Sequence, residues 1–170
     1  MRLLRRRSKI ITLLAIFVVP IGVAHAAPAS DATRVVWATV NVCDTPNAPN
    51  TIGIRASMPG SRSGAEVRWM RFVVEYYSQA HRRWSRLDAG DSGFLRVGRG
   101  RKPRQFGRSL RIEPPREPVL LRVRVLFQWR TEGGAVLQSE RARTRKGHRS
   151  NVGADPSGFS ATTCTITPDS

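Results

Sequence analysis

From residue 119 to residue 129 every second position is large and apolar: Val119, Leu121, Val123, Val125, Phe127 and Trp129. Leu120, Arg122, Arg124, Leu126, Gln128 and Arg130 take the other phase. Successive side chains of a strand point to opposite faces, so this stretch predicts a central strand with one face in a core. Residues 51–58 repeat the pattern, with Ile52, Ile54, Ala56 and Met58 opposite Arg55 and Ser57. Residues 66–78 do so as well, with Met70, Phe72, Val74 and Tyr76 opposite Arg71, Val73, Glu75 and Tyr77. Further strands are expected at 35–43, 83–87, 93–97, 106–112, 136–144 and 159–167. Between them lie turn-forming sequences: Asp44-Thr45-Pro46, Pro59-Gly60, residues 79–81, Pro114-Pro115 and Glu132-Gly133-Gly134. Trp37 and Trp69 fall on the phase opposite the core unless a bulge intervenes.

No segment after residue 26 carries apolar residues at three- and four-residue steps over a helix length. Seven to nine short strands predict an all-β domain over 27–170, a two-layer sandwich, with a small closed barrel as the alternative. The core should set the face of 119–129 against Ile52, Ile54, Met70, Phe72, Leu110 and Ile112, leaving Arg122 and Arg124 outside. Flexible ends and a mobile basic loop at 98–105 are expected.

The first residues follow another logic. Arg2, Arg5, Arg6, Arg7 and Lys9 form a basic head, residues 10–23 an apolar run, and Ala24-His25-Ala26 a small-x-small site. That order predicts a secretory signal over 1–26, with the mature chain starting near Ala27. The run is shorter than the roughly 20 residues a bilayer core requires, so no stable membrane span is expected in the mature chain. The expected location is secreted or associated with the cell envelope.

The chain of 170 residues carries 29 Lys and Arg against 12 Asp and Glu, a formal charge of +17. Removing 1–26 takes five basic residues and no acid, leaving +12. Two clusters stand out: Arg99, Arg101, Lys102, Arg104 and Arg108, and then Arg141, Arg143, Arg145, Lys146, His148 and Arg149. Such groups hold polyanions through charge and counterion release. Of the 29 basic residues 26 are arginine, a bias that GC-rich coding also produces. Arginines 68, 71, 122, 124 and 130 read as solvated strand faces whose stems cover apolar surface.

Cys43 and Cys164 are the only cysteines, and in an exported chain the pair predicts a disulfide. Closing a loop of this length is worth about 4 to 5 kcal/mol on the chain-entropy estimate. Two cysteines do not make a zinc site, and His81 and His148 lack ligand spacing. Residues 88–93 lack the ligand series and closing Glu of a calcium loop. No P-loop, dinucleotide fingerprint or G-x-S-x-G elbow is present, so neither cofactor nor metal is expected. Asp88 and Asp91, read as loop residues, and Glu66 and Glu75 are the carboxylates a small hydrolase would need. Neighbouring arginines make solvent-facing ion pairs the simpler expectation. Tyr77 and Trp84 read as a cross-strand aromatic pair.

Ile112-Glu113-Pro114 precedes the long strand from Leu121 to Trp129, and Gly133-Gly134 leads to a last strand from Val136. With this order residues 109–143 resemble a fibronectin type III domain. The resemblance extends over roughly 30–144 and implies an immunoglobulin-like sandwich, with an extra C-terminal strand carrying Cys164. More broadly the chain resembles small exported immunoglobulin-like proteins of GC-rich actinobacteria, a group without an assigned activity. The functional expectation is therefore an exported, non-catalytic structural or interaction domain. The alternative is a binder of anionic cell-envelope polymers or extracellular nucleic acid through the basic loops. Another exported protein is a further possible partner, and a small hydrolase is the third reading.

Overall fold

The structure is a computed structural model and describes residues 35–168; the signal segment and the start near Ala27 lie outside the described residues. Within 35–168 the chain is all-β. Its strands are β1 (Trp37–Thr45), β2 (Ala48–Met58), β3 (Val67–Ser78), β4 (Arg83–Asp91), β5 (Leu95–Gly98), β6 (Arg104–Arg111), β7 (Val119–Arg130), β8 (Val136–Arg143) and β9 (Cys164–Ile166). They form two antiparallel sheets. One has the order β1-β2-β6; the other has β4-β3-β7-β8, with β5 also on β3 and β9 also on β7.

The alternation of β7 sets the core. Leu121, Val123, Val125, Phe127 and Trp129 are buried, and Val119 is half-buried at the start of the strand. Ile52, Ile54, Met70 and Phe72 pack in the same cluster, with Leu110 and Ile112 partly buried against it. Full burial of such side chains contributes about 1.5 to 3 kcal/mol each. The register leaves Arg122 and Arg124 on the outer face, and Trp69 pairs across from Gln128 on that face. Trp37 also lies on the outer phase. The irregularity of β1 comes later, between Val40 and Val42, and returns Cys43 to the core side.

Several boundaries differ from expectation, each for a visible reason. β4 runs to Asp91, so Asp88 and Asp91 lie in a strand. The chain bulges between the Glu75–Arg86 and Val73–Asp91 pairs. Gly90 permits the return, because a Cβ there would sit 2.6 Å from Val74 Cβ. β6 begins at Arg104, inside the stretch expected to be loop. The rest of that loop is tied down: the buried Arg68 donates from Nη1 to Lys102 O at 2.8 Å and from Nη2 to Arg99 O. Arg68 is thus no solvated arginine. It shares the phase of Met70 and Phe72 and is 2% exposed. Burial lowers its pKa, with a further push from the Arg104 charge.

The end of the chain holds the main departure. The strand expected over 159–167 is confined to Cys164–Ile166, and it occupies the same edge of β7 as β8. β8 leaves that edge at Thr144, whose N–H donates to Val123 O. Thr144 Oγ1 accepts from Val123 N at 3.2 Å and donates to Thr162 O at 2.6 Å, joining the departing and returning chain. The edge strand of the large sheet is therefore split, and residues 145–161 make an excursion onto the small sheet. Ala161 exchanges both backbone hydrogen bonds with Val40, and Asp155 N donates to Asn41 O. The free edge of β1 is closed in this way. The Cys43–Cys164 disulfide, with Cα atoms 5.4 Å apart, fixes the returning strand to β1. Bonds of this kind persist in oxidising compartments.

Candidate functional site

The second basic cluster is held where β8 gives way to the excursion. Arg141 and Arg143 lie two residues apart on β8, opposite Leu126 and Arg124 of β7. Arg145 follows, its N–H donating to Ala38 O at 2.8 Å. Together with Arg124, Val35, Val36, Trp37, Ala38, Ala142 and His148 they line a cleft of about 550 Å³. That size suits a small ligand or one segment of a chain. Among the described residues no carboxylate lines it.

Trp37 forms one wall and is positioned by His148, the rings stacked 4.4 Å apart and 7° from parallel. The His148 N–H donates to Ser160 Oγ at 2.9 Å, which anchors the backbone that carries the ring. Burial lowers the His148 pKa below its ordinary value. The imidazole is thus kept toward its neutral form among the guanidinium groups of the cleft.

Beyond the cleft, the outer face of the large sheet carries a linked series of arginines, aromatics and two acids. Glu75 is 7% exposed and accepts from Arg122 Nε at 2.8 Å, while Arg124 Nη2 approaches its other oxygen at 3.4 Å. Arg122 also lies over Trp84, 4.1 Å from the ring centroid. Trp84 in turn meets Tyr77 edge-on at 5.4 Å, the cross-strand aromatic pair expected from the sequence. Asp91 pairs with Arg71 and Arg86. The hydrogen bond from Arg71 holds the Asp91 pKa down at about 2 against desolvation. Arg130 stacks over Trp69 and Phe94, each at 4.7 Å. Glu75 and Asp91 are therefore enclosed by arginines, where solvent-facing pairs were expected.

The first basic cluster lies elsewhere. None of Arg99, Arg101, Lys102, Arg104 and Arg108 lines the cleft. Arg99 pairs with Glu132 of the β7–β8 turn. The Arg101 backbone fills the space beside Gly60, where a Cβ would lie 2.2 Å from its carbonyl carbon. Arg104 pairs across from Met58 and Arg108 across from Ile54, both on the core-facing phase of an edge strand. The link between the two regions is Gln105, which donates to Ser150 O and accepts from Val152 N. Lys146 and Arg149 border a second, more open hollow with residues 156–160.

Sequence reasoning missed Arg124 and Trp37 as members of the basic site. The signal for Arg124 was its place on the outer phase of the longest strand; its partner across the sheet could not be read without the register. The remaining reactive side chains are engaged locally. His81 Nδ1 lies 3.0 Å from Ser78 Oγ within one exposed turn, and Cys43 and Cys164 are bonded to each other. Compared with known proteins, the chain matches no family model, and no curated protein is significantly similar to it.

Proposed function

We propose that the protein is an exported, non-catalytic interaction domain that binds anionic cell-envelope polymers through the β1–β8 cleft and the adjoining arginine face. The observation that carries this reading is the convergence of Arg124, Arg141, Arg143 and Arg145 on one cleft that no acid lines among the described residues. Arginine presents a rigid fork of donors suited to phosphate and carboxylate. A non-catalytic role is supported by the commitments of the candidate groups: the cysteines to a disulfide, Glu75 and Asp91 to arginines, and His148 to a tryptophan. Export is supported by the basic head and apolar run at the start of the chain and by the internal disulfide.

A fibronectin type III affinity is supported by the strand order. The fourth strand joins β3 instead of the β6 edge, unlike an immunoglobulin constant domain, where the corresponding strand belongs to the first sheet.

The test is a salt series of binding to a polyanion by two charge-matched variants of the mature chain. One replaces Arg141, Arg143, Arg145 and Arg149 with Gln; the other replaces Arg99, Arg101, Lys102 and Arg104. Affinity should fall steeply with salt, and the first variant should lose at least ten times more than the second. Equal losses would assign binding to a diffuse positive field and overturn the reading.

A further inference from the structure

We propose that the cleft contains a discrete phosphate subsite, centred on Arg124 and Arg143, which takes one phosphate of an extended phosphodiester chain. This rests on the polyanion reading above and adds to it a ligand class and a position. Arg124 and Arg143 are direct cross-strand partners. Like charges placed opposite each other are unfavourable, and a sheet ordinarily avoids them or supplies a counter-charge. Here the supply is incomplete. Among the described residues Glu75 is the acid paired within the group, and it is closer to Arg122 than to Arg124. Arg124 meets an acid through Nη2 at 3.4 Å, and among the described residues Arg141, Arg143 and Arg145 make no ion pair. An oxyanion between Arg124 and Arg143 would supply the missing charge and accept hydrogen bonds from the exposed Arg143 guanidinium.

The arrangement also favours a chain over an isolated ion. Arg141 lies two residues before Arg143 on the same face, about 6 to 7 Å away at ordinary strand rise. Arg145 follows Thr144 and lines the same cleft as Trp37. A single extended phosphodiester chain can set successive charges along Arg141 and Arg143 with a linking group against Trp37. A double helix is too broad to enter a cleft of about 550 Å³ and would touch only its rim.

The experiment measures binding to the mature chain by Trp fluorescence and calorimetry with three probes at fixed ionic strength. These are inorganic phosphate, a short glycerol-phosphate oligomer, and duplex DNA carrying the same number of charges. The proposal expects the oligomer to bind at least tenfold more tightly than phosphate, and more tightly than the duplex. Arg124→Gln with Arg143→Gln should abolish oligomer binding, while Arg111→Gln with Arg116→Gln, both exposed and away from the cleft, should leave it within twofold. Arg143→Lys keeps the charge at an exposed position and should lose three- to tenfold, because the fork is gone while the fold is untouched. Oligomer binding that survives the first pair, or that Arg143→Lys leaves unchanged, overturns the subsite. If the duplex still binds at low salt in that case, the polyanion reading stands alone. If neither polymer binds at low salt, both fail.

Discussion

The two outer faces of the sandwich are finished in opposite ways. The small sheet is covered by its own chain. Residues 145–161 cross it, and their hydrogen bonds to that sheet join polar side chains and backbone: Thr39 with Ser160 at 2.7 Å, Asn41 Nδ2 with Gly153 O at 2.9 Å, Thr45 Oγ1 with Asp155 Oδ2 at 2.6 Å, and Gln105 with Ser150 and Val152. Thr39, Asn41 and Ser57 are buried as a result. Arg55 lies within this layer, flat between two glycines. A Cβ on Gly107 would fall 2.9 Å from its Cζ and one on Gly153 would fall 2.9 Å from its Nη2. Among the described residues the large sheet has no such cover. Its outer side chains cover one another instead, through the Glu75, Asp91, Trp69 and Trp84 contacts with arginine. A polar face can be withdrawn from water by a second layer of backbone or left in water and held by charge and stacking. The second leaves arginines of the large sheet available to a partner, and Arg145 of the covering segment joins them at the cleft.

The largest test of this contrast is removal of the disulfide. Cys43→Ala with Cys164→Ala should cost about 4 kcal/mol in denaturant unfolding, since the bond closes a separation of 121 residues. Amide exchange should rise first in 145–161 and β9, with β3 and β7 protected. Uniform loss across both sheets would mean that the cover is not an independent layer.

Next comes a matched pair of substitutions on the two faces. Gly107→Val should cost about 1 to 3 kcal/mol, because its Cβ would lie 2.7 Å from Ile54 O and displace Arg55. Ser139→Val, exposed on β8, should change stability by no more than about 0.5 kcal/mol. Equal effects would erase the distinction between a covered face and an open one.

Glu75→Gln should cost about 1 to 2 kcal/mol, below the figure for a fully buried pair because Arg122 and Arg124 remain partly in water. Added phosphate should restore more melting temperature to this variant than to the unaltered chain. Absence of that difference would show that the arginine face does not gather anions.

The smallest effect is confined to acid. The Asp91 carboxyl sits at about 2 in the folded chain against an ordinary 3.8, so its stabilising contribution is complete above pH 4. It is lost as pH falls from there toward 2, because the unfolded chain takes up the proton first. Asp91→Asn should flatten the acid limb of stability over that window. An unchanged slope would show that the Arg71 contact does not hold in solution.

Strand identity and core phase were legible in the sequence because a period of two is a local property. The positions of Val123, Phe127, Ile54 and Phe72 needed only their neighbours two residues away. The Cys43–Cys164 bond was legible because no other cysteine competes for either partner. The two basic clusters could be located but not placed, since sequence density carries no information about which strands adjoin.

Tertiary structure alone decided the rest. Arg68 looked like any strand arginine, yet the carbonyls of Arg99 and Lys102 lie where its guanidinium ends, and burial becomes satisfiable. The division of the last edge strand depends on Thr144 meeting both Val123 and Thr162. The cleft depends on Arg143 arriving opposite Arg124 and beside Trp37. Each of these is a contact between residues far apart in the chain, set by sheet register and by the path of the excursion. The sequence determined what each strand buries; the folded arrangement determined which arginines are left facing one another.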